Sequence, residues 1–158
     1  QQKDTFFKRS PQSPLDADAQ AKFDGLAYFD HNPDLALTVT VTENAEKTPV
    51  PIQTTTGDGR IYHRYGTFTF SVDGEDATLT IYQTPHGYFL PFVDTDPETY
   101  PAGRYLDLEP NDDGTFDVDF NLAYNPFCVY SDAYSCPLTP PENRLQVAIR
   151  AGEKLYAK

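Results

Sequence analysis

The chain has no tryptophan and no methionine, only two cysteines and three histidines, and half as many cations as carboxylates. Each shortage excludes something. Twelve Lys and Arg against 24 Asp and Glu leave a net charge of −12, which repels a phosphate backbone. Nucleic acid is therefore not an expected partner, and anionic membrane surfaces are disfavoured for the same reason. No apolar run approaches the roughly 18 residues that span a bilayer, so no transmembrane segment is expected. His31, His63 and His86 have no motif spacing to the cysteines, which leaves zinc short of its usual ligands, and neither a metal nor another cofactor is implied. Also missing are a serine-nucleophile elbow, a phosphate-cradling glycine loop, a His-Glu-x-x-His helix and a dinucleotide fingerprint. Glu109–Asp119, "EPNDDGTFDVD", resembles a calcium loop only superficially, because its Asn-Asp-Asp-Gly core reads as a turn.

What is present points to β-structure. At 158 residues the chain is long enough for one domain with a sizeable core. Eleven Phe and eleven Tyr favour pleated, half-buried surfaces. Residues 1–12 are polar and proline-punctuated and read as a flexible lead, like the start of a trimmed mature chain, ahead of a single β-rich domain over 13–158. Ser13, Pro14, Asp16 and Asp18 form a helix-start signal, Leu15, Ala19 and Phe23 an apolar stripe, and Gly25 a stop, so one short N-terminal helix is expected.

Beyond it the apolar period is two. "LALTVTVTEN", "RIYHRYGTFTFSV", "ATLTIYQ", "GYFLPFVD", "GRYLDLEP", "TFDVDFNLAY" and "RLQVAIRAGEKLY" give about seven or eight strands. Asp73-Gly74 and Asn111–Gly114 read as hairpin turns between neighbouring strands. The expected architecture is an antiparallel β-barrel or sandwich, with a Cys/Pro-rich loop over 124–143.

Four segments carry a resemblance: "LPFVDTDPETYPAGRYLDL" (Leu90–Leu108), "DFNLAYNPFCVY" (Asp119–Tyr130), "YSCPLTPPENRL" (Tyr134–Leu145) and "AGEK" (Ala151–Lys154). Together with "SPL" and the Phe23–Phe29 lead-in, they resemble the bacterial and archaeal family called domain of unknown function 1684. The resemblance implies a small, mostly β domain without an assigned reaction. The family's Thr-Ser-Gly-x-Glu-Thr-Tyr turn is replaced here by a shorter one at Thr95-Asp96-Pro97.

The same segments hold the candidate chemistry. Cys128 and Cys136 are expected to form a disulfide closing a small loop, which fits an exported, periplasmic or secreted protein. A reduced pair, either packed in the interior or serving as two soft metal ligands, is the alternative. Asp119, Asn121, Tyr124 and Asn125 either tie that loop down or wall a pocket. Glu142 and Asn143 follow two prolines that present them rigidly, for binding or for an ion pair with an arginine such as Arg104. Asp94, Arg104, Tyr105 and Asp107 add an Arg suited either to a carboxylate pair or to an anionic ligand.

The leading expectation is a small-ligand-binding or accessory module of the cell envelope, taking a polar or carbohydrate-like ligand at these residues. The rivals are a hydrolase or lyase using Asp119 or Glu142 as general acid or base, and a purely structural envelope protein. A binding module predicts a pocket with aromatic walls, an enzyme predicts a carboxyl shifted towards neutrality, and a structural protein predicts mutually satisfied polar groups.

Overall fold

A computed structural model describes residues 27–57, 59–85, 87–126 and 136–154. The lead over 1–12, the expected helix over 13–25 and Cys128 lie outside the described residues. Among those described, the helical elements are short 3-10 turns at Pro33–Leu35, Phe120–Leu122 and Pro141–Asn143. The strands are antiparallel: β1 (Ala36–Val39), β2 (Thr42–Glu43), β3 (Pro49–Gln53), β4 (Gly59–Val72), β5 (Glu75–Thr84), β6 (Gly87–Phe92), β7 (Arg104–Leu108) and β8 (Phe116–Asp119).

These strands make two sheets. One has six strands in the order β2-β4-β5-β6-β7, with β3 following β2 along the same edge of β4; the other is a ribbon of β1 and β8. Neither closes, which corrects the barrel expectation. Closure requires the outermost strands to pair, whereas among the described residues β7 meets only Tyr124 on its free edge, through an isolated bridge at Tyr105. The turn at Asn111–Gly114 forms as read, with Gly114 N–H donating to Asn111 C=O at 2.9 Å. Its flanking strands nevertheless part: β7 stays in the large sheet and β8 pairs with β1.

The large sheet has two covered faces. On the ribbon face, Phe68, Phe70, Leu79, Ile81, Leu90, Phe92 and Leu106 meet Val39, Phe116, Val118 and Phe120 of the ribbon side in one core. Phe120 sits 5.2 Å from both Phe70 and Phe92, ring centre to ring centre. The opposite, loop face carries Tyr62, Tyr82, Phe89 and Tyr105, and the segment 136–143 packs against it at Tyr82 and Tyr105. That segment lies along β3 through Leu138 N–H to Gln53 C=O and Thr55 N–H to Cys136 C=O, and it accepts the Tyr105 hydroxyl at Pro137 C=O.

β4 serves both faces because its register against β5 shifts between Arg64 and Gly66. Arg64 lies opposite Tyr82, but Gly66 lies opposite Ile81. The extra residue of such a bulge reverses which side later residues address. Gly66 is required there, since a Cβ would stand 2.6 Å from Thr42 C=O.

The stretch Arg144–Ala151 also departs from expectation. Leu145, Val147, Ile149 and Ala151 are buried at alternate positions as a strand's would be, yet no strand forms. Only a bridge at Arg144 and bonds such as Leu145 N–H to Val93 C=O tie it to the sheet. Its later carbonyls go to a side chain instead.

Candidate functional site

That side chain is Arg104. At 1% exposure it lies inside the ribbon-face core, stacked 5.1 Å from the Phe92 ring. Its guanidinium donates to the carbonyls of Ile149 (2.8 Å), Glu153 (3.0 Å) and Ala151. Asp94, with its side chain 2% exposed, supplies the countercharge at 3.7 Å. Asp94 itself accepts from Thr99 Oγ1 (2.6 Å) and Ile149 N–H (2.7 Å). Burial lowers the Arg104 pKa, while Asp94, Asp96 and Glu153 oppose that shift. Arg104 and Asp94 thus crosslink the C-terminal segment to β7.

Asn143 has an equally structural placement. Continuing the β5–β6 register would set Pro91 beside Thr80, but proline has no N–H to donate. The fully buried Asn143 amide fills that gap, donating to Thr80 C=O and Pro91 C=O and accepting from Thr80 N–H, each at 2.8 Å. Neighbouring Glu142 forms a bidentate pair with Arg64, at 3.0 Å to Nε and 2.7 Å to Nη2. Burial raises its carboxyl pKa, but hydrogen bonds led by Arg64 outweigh this and hold it below the ordinary value.

Asp119 and Asn121 clamp the start of the ribbon. Asp119 caps the 120–122 turn, accepting from Asn121 N–H at 3.0 Å. The Asn121 amide exchanges two 2.8 Å bonds with the backbone of Asn32. Asn125 is buried; its N–H donates to Glu153 Oε1 and its amide to Lys154 C=O, both at 2.8 Å. Cys136 is buried, and no described cysteine is a free thiol. Its expected partner, Cys128, falls outside the described residues.

Arg104, Asp119 and Glu142 therefore hold separate parts of the fold and share no site. Tyr105, Asp107 and Tyr124 do come together. Tyr62, Phe89, Tyr105 and Tyr124 form a run of edge-to-face rings with centroids 4.8–5.8 Å apart, and the Tyr124 hydroxyl donates to Asp107 Oδ2 at 2.8 Å. Burial first, then the Asp107 bond, raises the Tyr124 pKa, so the phenol stays a neutral donor.

Asp107 also lines a groove of about 910 Å³ where the β5–β6 hairpin meets the chain leaving β7. Tyr62, Tyr88 and Phe89 give it aromatic walls, and Glu109 and Asp117 add two more carboxylates. Tyr88 is braced by Tyr65 at 4.8 Å and Phe116 at 5.2 Å. Of the residues singled out in the sequence, only Asp107 lines this groove. Tyr62, Tyr88, Phe89, Glu109 and Asp117 were missed. The available signal was the acid at alternate positions 107 and 109, at the end of β7 opposite Leu106 and Leu108.

The chain matches the family described as "Protein of unknown function (DUF1684)" over residues 21–154 and belongs to it. It is similar to a solution NMR structure of an uncharacterized protein of Haloarcula marismortui, at 40% identity and a TM-score of 0.70, covering 97% of this chain and 88% of that one. No curated protein matches.

Proposed function

We propose that this domain is a small-ligand-binding or accessory module of the cell envelope, and that its site is the groove between the β5–β6 hairpin and residues 107–111. The observation carrying this reading is a concavity of about 910 Å³ that combines three aromatic side chains with three carboxylates. That size and mixture suit a small polar ligand, with rings for its apolar faces and a few oxygens for orientation. Tyr124 and Tyr105 belong to the site as its support, since they hold Asp107 in place.

The enzyme reading has less behind it. A general acid at neutral pH needs a raised carboxyl pKa, and the Glu142 carboxyl is lowered by its arginine partner. Asp119 commits one oxygen, Oδ1, to the turn it caps. Export belongs to the same proposal, with Cys128 and Cys136 bridged and the domain running over 13–158 behind a flexible lead.

Amide chemical-shift mapping with a panel of sugars, polyols, amines and carboxylic acids tests the site. Shifts confined to Tyr88, Phe89 and residues 107–111 support it; shifts confined to residues 141–143, or none for any compound, overturn it. Intact mass with and without reduction tests the bridge, and two free thiols in protein purified without reductant would remove that part.

A further inference from the structure

We infer that the groove takes a small organic cation carrying N–H donors, in preference to a neutral polyol or an anion; this rests on the groove being the binding site. Eleven described residues line it, and none of these is Lys, Arg or His. Among the described residues no cation pairs with Asp107, Glu109 or Asp117; the ion pairs lie at Glu43, Asp94, Asp96, Glu98 and Glu142.

The groove's acceptors also outrun its donors. Asp107 Oδ2 takes the Tyr124 hydroxyl, and Asp117 Oδ1 takes Thr38 Oγ1 (2.9 Å) and Asn111 Nδ2 (3.2 Å). No described residue hydrogen-bonds Asp107 Oδ1, Asp117 Oδ2 or either oxygen of Glu109. A ligand therefore meets charge that no described cation neutralises and solvent-facing carboxylate oxygens, a setting that favours one bringing both donors and positive charge. A neutral sugar supplies donors only, and an anion is repelled.

The walls select the kind of cation. Tyr62, Tyr88 and Phe89 line the groove, and an ammonium or guanidinium group seated over the face of such a ring gains roughly two- to fivefold in affinity per contact. A bare metal ion gains little from rings, and no group of three His, Cys, Asp or Glu among the described residues could hold one.

The test titrates isotope-labelled full-length chain with putrescine, and with butanediol, glucose and succinate as neutral and anionic comparisons. Putrescine is expected to move the amides of Tyr88, Phe89 and residues 107–109, and its affinity to fall about fivefold or more on raising salt to ~0.3 M. Glu109→Gln and Asp117→Asn should each weaken it roughly two- to fivefold, and butanediol should leave the amides unmoved. If glucose or succinate moves the same amides while putrescine does not, the cation inference is overturned and the groove stands. If none of the four moves them, the groove reading falls and takes this inference with it. Putrescine shifts spread equally over the exposed acids at residues 73–76 would mean counter-ion condensation, which also overturns it.

Discussion

On its ribbon face the large sheet is covered by side chains, Phe116, Val118 and Phe120 among them, packed into a continuous apolar core. On its loop face it is covered by a backbone segment, held by polar groups such as Asn143 and the Glu142–Arg64 pair. The two solutions differ in what they leave over. Apolar packing closes a surface completely, whereas hydrogen bonds secure a loop at a few points. At the rim where the two coverings meet, Tyr62, Phe89 and Asp107 from the loop face and Tyr88, Leu108 and Asp117 from the ribbon side leave the groove open.

The comparison breaks first at Arg104, the polar intruder on the apolar face. Arg104→Met strands Asp94 in the interior and removes the donor for the carbonyls of residues 149, 151 and 153, and is expected to cost about 3–5 kcal/mol. Urea denaturation of the single variant, and of a double with Asp94→Leu that should recover much of the loss, separates the charge effect from the packing effect.

Next is the loop face itself. Asn143→Leu leaves a buried N–H and two carbonyls unpaired, for an expected loss of about 3 kcal/mol. That is comparable to Phe120→Ala opposite, at about 3–5 kcal/mol. A loss below ~1 kcal/mol for Asn143→Leu would show that the loop is held by something other than this amide. Asn143→Asp, which accepts but cannot donate, should fare no better.

Arg64 and Glu142 are partly exposed, with side chains at 36% and 29%, so water screens their pair and Glu142→Gln should cost only about 1 kcal/mol or less. Its signature is the pH dependence. Because the folded carboxyl is held below its ordinary 4.5, the pair contributes above about that pH and is lost as the pH falls through the lowered folded value. Stability curves of wild type and Glu142→Gln should therefore converge in acid and separate towards neutrality. Smallest of all, Glu109→Gln in the groove should change stability by no more than ~0.5 kcal/mol, since no described residue depends on it. Its effect belongs to binding.

Much of the ribbon face was legible. Alternation marked Phe68, Phe70 and Val72 of β4 and Leu79 and Ile81 of β5, and Asp73-Gly74 marked the hairpin between them; Asp73 and Gly74 both have positive φ, at 50° and 84°. β3 escaped because Pro49 and Pro51 argue against a strand, though an edge tolerates them. The loop face was hardly legible. Asn143 looked like a ligand-binding amide because it follows two prolines, but its use is set by Pro91, 52 residues away, which lacks a donor. Arg104 was likewise read from acids in its neighbourhood, whereas most of its bonds go to main-chain carbonyls, which a sequence does not distinguish. Asp107 and Tyr124 could be found because their chemistry is carried by the side chains themselves.

The shift between Arg64 and Gly66 behaves like a frameshift written in space. Even-numbered positions of one uninterrupted strand send Tyr62 to the groove side and Phe68, Phe70 and Val72 to the core. Residue 65 separates two reading frames that can accept mutations independently of each other. A chain lacking that single residue would have one frame for both sides, and could satisfy the core or the groove but not the two together.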